Sequence, residues 1–439
     1  MSKNNENKLV PKLRFPDYSN TGNWILSDLI DTADKKIKWS FTGGPFGSNL
    51  KAEDYTEYGI RIIQLQNIGD GEFIDDYKIY ASEEKANELL SCNIYSGEII
   101  LSKMGDPVGR ACIIPKHIER CIMASDGIRL VVDENRFSKY FIYSLINSKQ
   151  IREAIERKST GSTRKRIGLD ELKKIKLPNP LKLEEQQKIA ACLSSLDEVI
   201  TAENQKLEVL KDHKKGLLQN LLPQAAETVP KFRFKEFEDS GEWVFDTFSE
   251  YIKLYRGSSP RPIQNYFTTD DTGVNWIKIG DTKNADNFII KQVEERITPE
   301  GAEKSRKVNV GELILANSMS FGKTYQLAIE GYIYDGWFVL REYEQYFDKQ
   351  FLLQLLNSDY MQTQYKKLSA GGIVQNISSD IVYKTILPHT SIDEQKQIAA
   401  SLTSLDEFIS AQSKKVEALQ LHKKGLLQGL FPNVNEVTE

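Results

Sequence analysis

The chain is written twice. Residues 184–223 align without a gap onto 393–432, an offset of 209, and 24 of the 40 positions are identical. Upstream the same order returns in weaker form. Val10-Pro11-Lys12-Leu13-Arg14-Phe15 echoes Val229-Pro230-Lys231-Phe232-Arg233-Phe234, and Trp24 echoes Trp243. Gly97-Glu98-Ile99-Ile100-Leu101 echoes Gly311-Glu312-Leu313-Ile314-Leu315, Asp126-Gly127 echoes Asp335-Gly336, and Asn147-Ser148 echoes Asn357-Ser358. A repeat of this length predicts one structural unit used twice, not a string of unrelated domains among the 439 residues. The boundaries read from it are 1–180 and 223–388 for two variable modules, with 181–222 and 389–439 for the segments that follow them.

Those shared segments carry a heptad pattern. Ile189, Leu193, Leu196, Ile200, Leu207, Leu210, Leu217 and Leu221 fall at alternating spacings of four and three, and only positions 203 and 214 are missing. Their equivalents Ile398, Leu402, Leu405, Ile409, Val416, Leu419, Leu426 and Leu430 repeat it, with Gln412 and Lys423 in the gaps. Eight apolar seam positions of ten predict a coiled-coil helix in each copy. Pro178, Pro180 and Pro388 precede the helices and Pro223 and Pro432 follow them. Gly216 and Gly425, inside the pattern, predict a break or kink in the last turns. A two-fold relation between the copies predicts that the helices run antiparallel, each a rod of ~55 Å.

The modules read as α+β. Strand-like runs occupy 60–65, 98–101 and 111–114 in the first, and 275–279, 313–316 and 332–340 in the second. A helix follows in each, over 138–157 and 348–367. Gly/Pro clusters punctuate the strands at Thr42-Gly43-Gly44-Pro45-Phe46-Gly47-Ser48 and Arg256-Gly257-Ser258-Ser259-Pro260-Arg261-Pro262. The expected architecture is two similar mixed modules separated by two long antiparallel helices, with a pseudo-two-fold repeat.

The net charge of −4 argues at first against a nucleic-acid partner, but its distribution is uneven. Residues 1–180 hold 28 basic and 25 acidic side chains, whereas 223–388 hold 19 and 23. Within 149–176 there are ten Lys or Arg against four carboxylates, centred on Arg164-Lys165-Arg166 beside the small-residue loop Gly161-Ser162-Thr163. Such a run suits phosphate contact, with Arg able to read guanine through a bidentate fork. A solvated face is the competing reading. In the second module the matching loop, Ser369 to Ile373, is followed by Gln375-Asn376, amides whose bidentate match is adenine; turn formation competes there.

Signals for covalent chemistry are missing. Phe321-Gly322-Lys323-Thr324 resembles the end of a phosphate-binding loop, but Asn317 stands where its first glycine belongs. Leu177-Pro178-Asn179-Pro180 has the wrong order for an amino-methyltransferase motif, and Asp106 and Lys116 assemble into no nuclease cluster. Cys92, Cys112, Cys121 and Cys192 form no C-x-x-C pair, and the four histidines are scattered, which argues against a zinc site or a disulfide framework. No apolar run approaches the ~18–20 residues of a membrane span, and residues 1–13 are polar, so the expected location is the cytoplasm.

Two dissimilar modules, each followed by a near-copy of one helix, resemble the specificity subunit of type I restriction-modification systems. The resemblance spans the chain. Its most specific marks are Leu177-Pro178 with Glu184-Glu185-Gln186 and Leu387-Pro388 with Asp393-Glu394-Gln395, each followed by Ile-Ala-Ala, Leu-Asp-Glu and Lys-Lys-Gly-Leu-Leu-Gln stretches. It implies a non-catalytic chain whose modules are target recognition domains, each reading one half of an asymmetric, split double-stranded DNA sequence. It also implies helices that set the gap and dock two modification subunits, which methylate adenine with S-adenosylmethionine. Two restriction subunits, using ATP and Mg, then cleave unmethylated DNA. Cofactors are expected on those partners and none on this chain. The candidate DNA-contacting residues, the Gly-Pro and closing loops among them matching that family's, are Gly43, Gly44, Ser48, Lys103, Arg110 and Gly161 to Arg166 in the first module. In the second they are Arg256, Ser258, Arg261, Lys323, Gly371, Gly372, Gln375 and Asn376. Two alternatives stand beside this reading: a coiled-coil scaffold for two protein-binding modules, and a self-sufficient methyltransferase-nuclease subunit.

Overall fold

The computed structural model describes residues 9–162, 164–224, 227–318, 322–369 and 377–433. The chain divides into two compact units, residues 1–202 with 417–439 and residues 203–416. Each unit therefore holds one module and a part of each long helix.

In the first unit a four-stranded antiparallel sheet runs in the order Phe41–Gly43, Gly127–Leu130, Ile99–Ser102, Ala111–Ile113. A five-stranded sheet holds Tyr55–Thr56, Ile79–Ala81, Ile60–Ile63, Arg120–Met123 and Asn93–Tyr95, with Ile60–Ile63 and Arg120–Met123 parallel. The echoed Gly-Glu-Ile-Ile-Leu stretch is the strand that serves two cores. Ile99 and Leu101 face the cluster containing Trp24 and Phe141, while Ile100, one residue out of phase, faces Ile63, Cys112 and Met123. Alternation along a strand covered on both faces accounts for its unbroken apolarity. The second unit repeats this division with Leu313 and Leu315 on one side and Ile314 and Ala316 on the other.

The single helices expected over 138–157 and 348–367 are each two. In the first unit α1 (Lys139–Ile146) ends before α2 (Lys149–Arg157) begins. The break sits at the echoed Asn147-Ser148, where Asn147 accepts from the Ala111 amide at 3.1 Å and donates to the Ala111 carbonyl at 3.0 Å. A side chain that supplies an edge strand with both its hydrogen bonds fixes the helix pair against the sheet. Likewise the run 332–340 is two strands, Gly331–Ile333 and Trp337–Arg341, in different sheets. The turn at Asp335-Gly336 separates them.

The shared segments are α3 (Leu183–Leu221) in the first copy and, after α4 (Lys349–Asn357) and α5 (Asp359–Ser369), α6 (Ile392–Leu430) in the second. Asn357 holds Thr324 as Asn147 holds Ala111, at 3.1 and 2.8 Å. Gly216 and Gly425 interrupt neither helix; Gly216 is half-buried and Gly425 exposed, and an added Cβ at either meets nothing within 4 Å, so glycine there weakens the helix without ending it.

The acidic-Glu-Gln motif at each helix start has a structural purpose. Glu185, 1% exposed, receives the Arg14 guanidinium at 2.7 and 2.9 Å and the Trp24 indole at 3.2 Å. Gln186 accepts from the Ser138 amide at 3.0 Å. In the second unit Arg233 reaches Glu394 at 2.7 Å through two nitrogens, and Gln395 accepts from the Asp348 amide at 2.9 Å. The echoed Val-Pro-Lys-x-Arg-Phe segment is thus pinned to the first turn of its helix by a bidentate pair.

Within each unit the two helices pack antiparallel. In the first, Ile189 and Leu193 share a core with Leu430 and Phe431, and Lys423 reaches Asp197 at 2.5 Å. In the second, Ile398 and Leu402 share a core with Leu221 and Leu222, and Lys214 reaches Asp406 at 2.6 Å. Ile200, Leu207 and Val416 are buried along the seam, and Leu196, Leu210, Leu405, Ile409 and Leu419 are half-buried. The heptad gaps hold polar pairs: Gln412 donates to Glu203 at 2.7 Å, and Lys214 and Lys423 take the two aspartates.

Candidate nucleic-acid interface

The Gly-Pro loop of the first unit is built by a close backbone approach. Gly44 donates its amide to the Gly127 carbonyl at 2.8 Å, and a Cβ on Gly44 would lie 1.9 Å from the Ala124 carbonyl oxygen. Only glycine fits, and the loop beyond projects Phe46, 81% exposed, over a cleft of about 680 Å³. Tyr55, Gln64, Gln66, Arg110 and Arg164 line it together with Asp106 and Asp126. Gly43 closes the strand Phe41–Gly43, and Ser48 is exposed on the loop.

The basic run is spent unevenly. The strand Lys165–Arg166 pairs with Met104–Gly105, which carries Arg166 to Asp126 at 2.7 Å and leaves Lys165 on Glu156. Gly161, at φ +101, makes the turn that folds the loop back. Arg164 is exposed and lines the cleft. Lys103 is half-buried and donates its amide to the Asp126 carbonyl at 2.7 Å. Ser162 is exposed, and Thr163 lies outside the described residues.

The second unit builds the same loop with different chemistry. A Cβ on Gly257 would lie 2.0 Å from the Tyr334 carbonyl oxygen. The cleft beside it, about 730 Å³, is lined by Arg261, Gln264, Phe267, Trp276, Lys278 and Glu295 among others. Arg256 donates to the Asp335 carbonyl at 3.2 Å, Ser258 to the Lys304 carbonyl at 3.1 Å, and Arg261 is exposed with Asp335 3.6 Å away. Lys323 does not join this cleft: it is half-buried with its ammonium 6.0 Å from the Phe288 ring, and burial lowers its pKa. Gly371, Gly372, Gln375 and Asn376 lie outside the described residues.

Sequence reading missed one matched position. The Gln64 amide donates to Asn67 at 3.0 Å and the Lys278 amide to Asp281 at 2.7 Å, so the two residues occupy the same place in the repeat. Gln64 lies in a cleft with long amide contacts to Tyr55 and Gln66, while Lys278 is paired with Glu295 at 2.5 Å. No local signal marks either, because each sits at the end of an apolar strand whose periodicity reports only burial.

A second type of hollow recurs against the long helices. In the second unit Lys214, Lys215, Leu218 and Gln219 border a groove of about 400 Å³ with Gln354 and Asn357. In the first unit the residues 209 positions on, Lys423, Lys424, Leu427 and Gln428, border one of about 490 Å³ with Ser144 and Asn147. Among the described residues no cluster of His, Cys, Asp or Glu is arranged to hold a metal ion, and no helix is long and apolar enough to cross a membrane.

The sequence model of the type I restriction modification DNA specificity domain matches twice, over residues 51–212 and 242–421. The chain is 23% identical over 386 residues to the putative type I restriction enzyme MjaX specificity subunit of Methanocaldococcus jannaschii, covering 85% of this chain and 86% of that one. It is 26% identical over 349 residues to the MjaVIII specificity subunit of the same organism, covering 76% of each. Its fold resembles the crystal structure of the type I restriction-modification S subunit from M. genitalium, with a TM-score of 0.53 at 17% identity over 96% of this chain and 99% of that one. It also resembles a chain from a structure described as the basis of complex assembly and conformational transition of the type I R-M system. There the TM-score is 0.56 at 13% identity, over 94% and 98%. With the domain matched in both modules and the two long helices packed together, the chain belongs to the type I restriction-modification specificity subunits, the non-catalytic, DNA-recognising family with two target recognition domains.

Proposed function

We propose that the two modules read the two halves of an asymmetric, split DNA target, one half each, and that residues 1–180 and 223–388 are the exchangeable reading units. The observation that carries this is the cleft built twice on one plan, by Gly44 and by Gly257, yet lined differently: Gln64, Gln66 and Arg110 in one, Lys278, Glu295 and Trp276 in the other. A common frame with different linings is what two different half-sites require. The contact residues are those of the two Gly-Pro loops, Lys103, Arg110 and the two closing loops; Lys323, half-buried beside Phe288 and outside the cleft, is not among them.

The long helices set the gap between half-sites and dock two modification subunits. The groove that appears twice, bordered by Lys214 and Lys215 or by Lys423 and Lys424, supports two equivalent docking places. The partners carry S-adenosylmethionine, ATP and Mg, and two restriction subunits complete the cytoplasmic complex. Phosphate neutralisation by the partners fits a recognition chain with a net charge of −4. The test is to express the chain with its cognate modification subunit and map methylated adenines across a genome by single-molecule sequencing. A split motif is expected. Exchange of residues 1–180 for another such module should change one half only, and an unchanged motif overturns the assignment.

A further inference from the structure

We infer that Arg110 is a base-reading residue of the first module, taking the O6 and N7 acceptors of a guanine, with Gln64 and Gln66 completing the edge it reads. The inference rests on the DNA-reading function proposed above and adds what Arg110 reads, a base and not a phosphate, and which base.

Several other arginines of this unit are held by carboxylates of the same chain. Arg61 is held by Asp75 at 2.8 Å, Arg129 by Glu98 at 2.6 Å, Arg152 by Asp70 at 2.5 Å and Arg166 by Asp126 at 2.7 Å. Each guanidinium is committed to a carboxylate. Arg110 is half-buried in the cleft wall, and the one hydrogen bond its guanidinium makes to a described residue is a long contact of 3.4 Å to the Leu65 carbonyl. Its Nε is buried without a partner among the described residues. Buried donors left unmade are costly, so a fork held this way is kept for an acceptor that arrives from outside.

The backbone is arranged to hold it. Gly109, at φ +74, precedes it, and a Cβ there would lie 2.8 Å from the Ile155 side chain. Ala111, which follows, is clamped at both amide and carbonyl by Asn147. The residue between a glycine-only turn and a clamped strand has little freedom to move, which suits a group whose task is geometric.

The lining separates a base from a phosphate. Arg110 and Arg164 share the cleft with Asp106 and Asp126, so cations and carboxylates are equal in number there. An incoming phosphate is met by the exposed Arg164 and gains little from the half-buried Arg110. A base-pair edge, neutral and alternating donors with acceptors, matches a wall that mixes a guanidinium, carboxylates and two amides. Gln66 donates to Gln64 at 3.3 Å and Gln64 to the Tyr55 hydroxyl at 3.5 Å, long contacts that a base edge can replace.

The test uses the complex with its cognate modification subunit. First the wild-type methylated motif is determined; then Arg110→Lys and Arg110→Ala complexes are mapped in the same way and titrated with duplexes carrying each base at each position of the affected half. Lysine keeps the charge and loses the fork. Both variants are expected to accept other bases at one G·C position. Affinity for the original sequence should fall by about 5- to 150-fold. The half read by the second module stays unchanged and reports that the chain is folded. Uniform weakening with unaltered base preference and a shallower salt dependence makes Arg110 a phosphate contact and overturns the inference, as does a wild-type motif in Arg110→Ala. A wild-type complex that methylates no split motif instead removes the parent reading, and this one with it.

Discussion

Lys214 donates to both carboxylate oxygens of Asp406, at 2.6 and 2.8 Å, and 209 residues around the repeat Lys423 reaches Asp197 at 2.5 Å. The repeat equivalents of Lys214 and Asp406 are thus paired with each other, as an antiparallel pair of near-identical helices requires. The two bonds differ in burial. Lys214 and Asp406 are 15% and 11% exposed, whereas Lys423 and Asp197 are 25% and 27% exposed.

That difference sets a first expectation. Lys214→Ala leaves Asp406 with the Gln354 amide at 2.8 Å as its remaining side-chain partner in a nearly dry place, at a cost of about 3 kcal/mol. Lys423→Ala leaves Asp197 wetter and costs about 1 kcal/mol, because solvent screens the more exposed pair. Urea denaturation of the two variants measures both, and equal losses would contradict the assignment of the difference to burial.

Two adjacent glycines of the first Gly-Pro loop are expected to behave differently. Gly44→Ala drives a Cβ into the Ala124 carbonyl and is expected to destabilise the first unit by about 3 kcal/mol or more, since backbone cannot rotate aside. Gly43→Ala, with nothing within 4 Å of its Cβ, is expected to be close to neutral. Thermal unfolding of the two variants makes the comparison, and a methylation map should show loss confined to one half-site for Gly44→Ala.

Within the basic run the three cations are expected to act unequally. Arg166 and Lys165 are neutralised by Asp126 and Glu156, while Arg164 faces the cleft. Arg164→Ala should lower the slope of log K against log salt by about 0.9, the value of one released counterion. Lys165→Ala should change it less. Equilibrium binding between low and moderate salt checks both, and equal slopes would overturn the ordering.

Cys112 and Cys121 lie fully buried in one small cluster, and burial pushes both thiols up to about 12 from an ordinary 9.0. Neither is expected to react with iodoacetamide at pH 8 in the folded chain, whereas the half-buried Cys192 reacts first. The same shifts make stability fall with alkali. Below about pH 9 both states keep the thiol proton and the contribution is intact; as pH rises from 9 toward 12 the unfolded chain loses it first, so folding weakens across that window. Mass spectrometry of alkylated peptides and denaturation at pH 8 and 10 test the two statements.

What the sequence determined by itself was everything that repeats or has a period. The 209-residue offset, the heptad seam and the alternating class of the modules depend on residue spacing along one axis, and burial follows from that spacing. Even the echoed Asn147-Ser148 was visible, though it read as the middle of a helix until its side chain was found closing the edge strand at Ala111. Tertiary structure alone decided which cations are free. Arg166 meets Asp126 because the short strand Lys165–Arg166 pairs with Met104–Gly105, bringing together residues forty positions apart. Arg110, with nothing in its local sequence to distinguish it from Arg129, is left uncommitted in the cleft. The physical reason is that the hydrophobic pattern is local and additive, whereas the state of a charge depends on which carboxylate the fold delivers to it, and no spacing along the chain encodes that meeting.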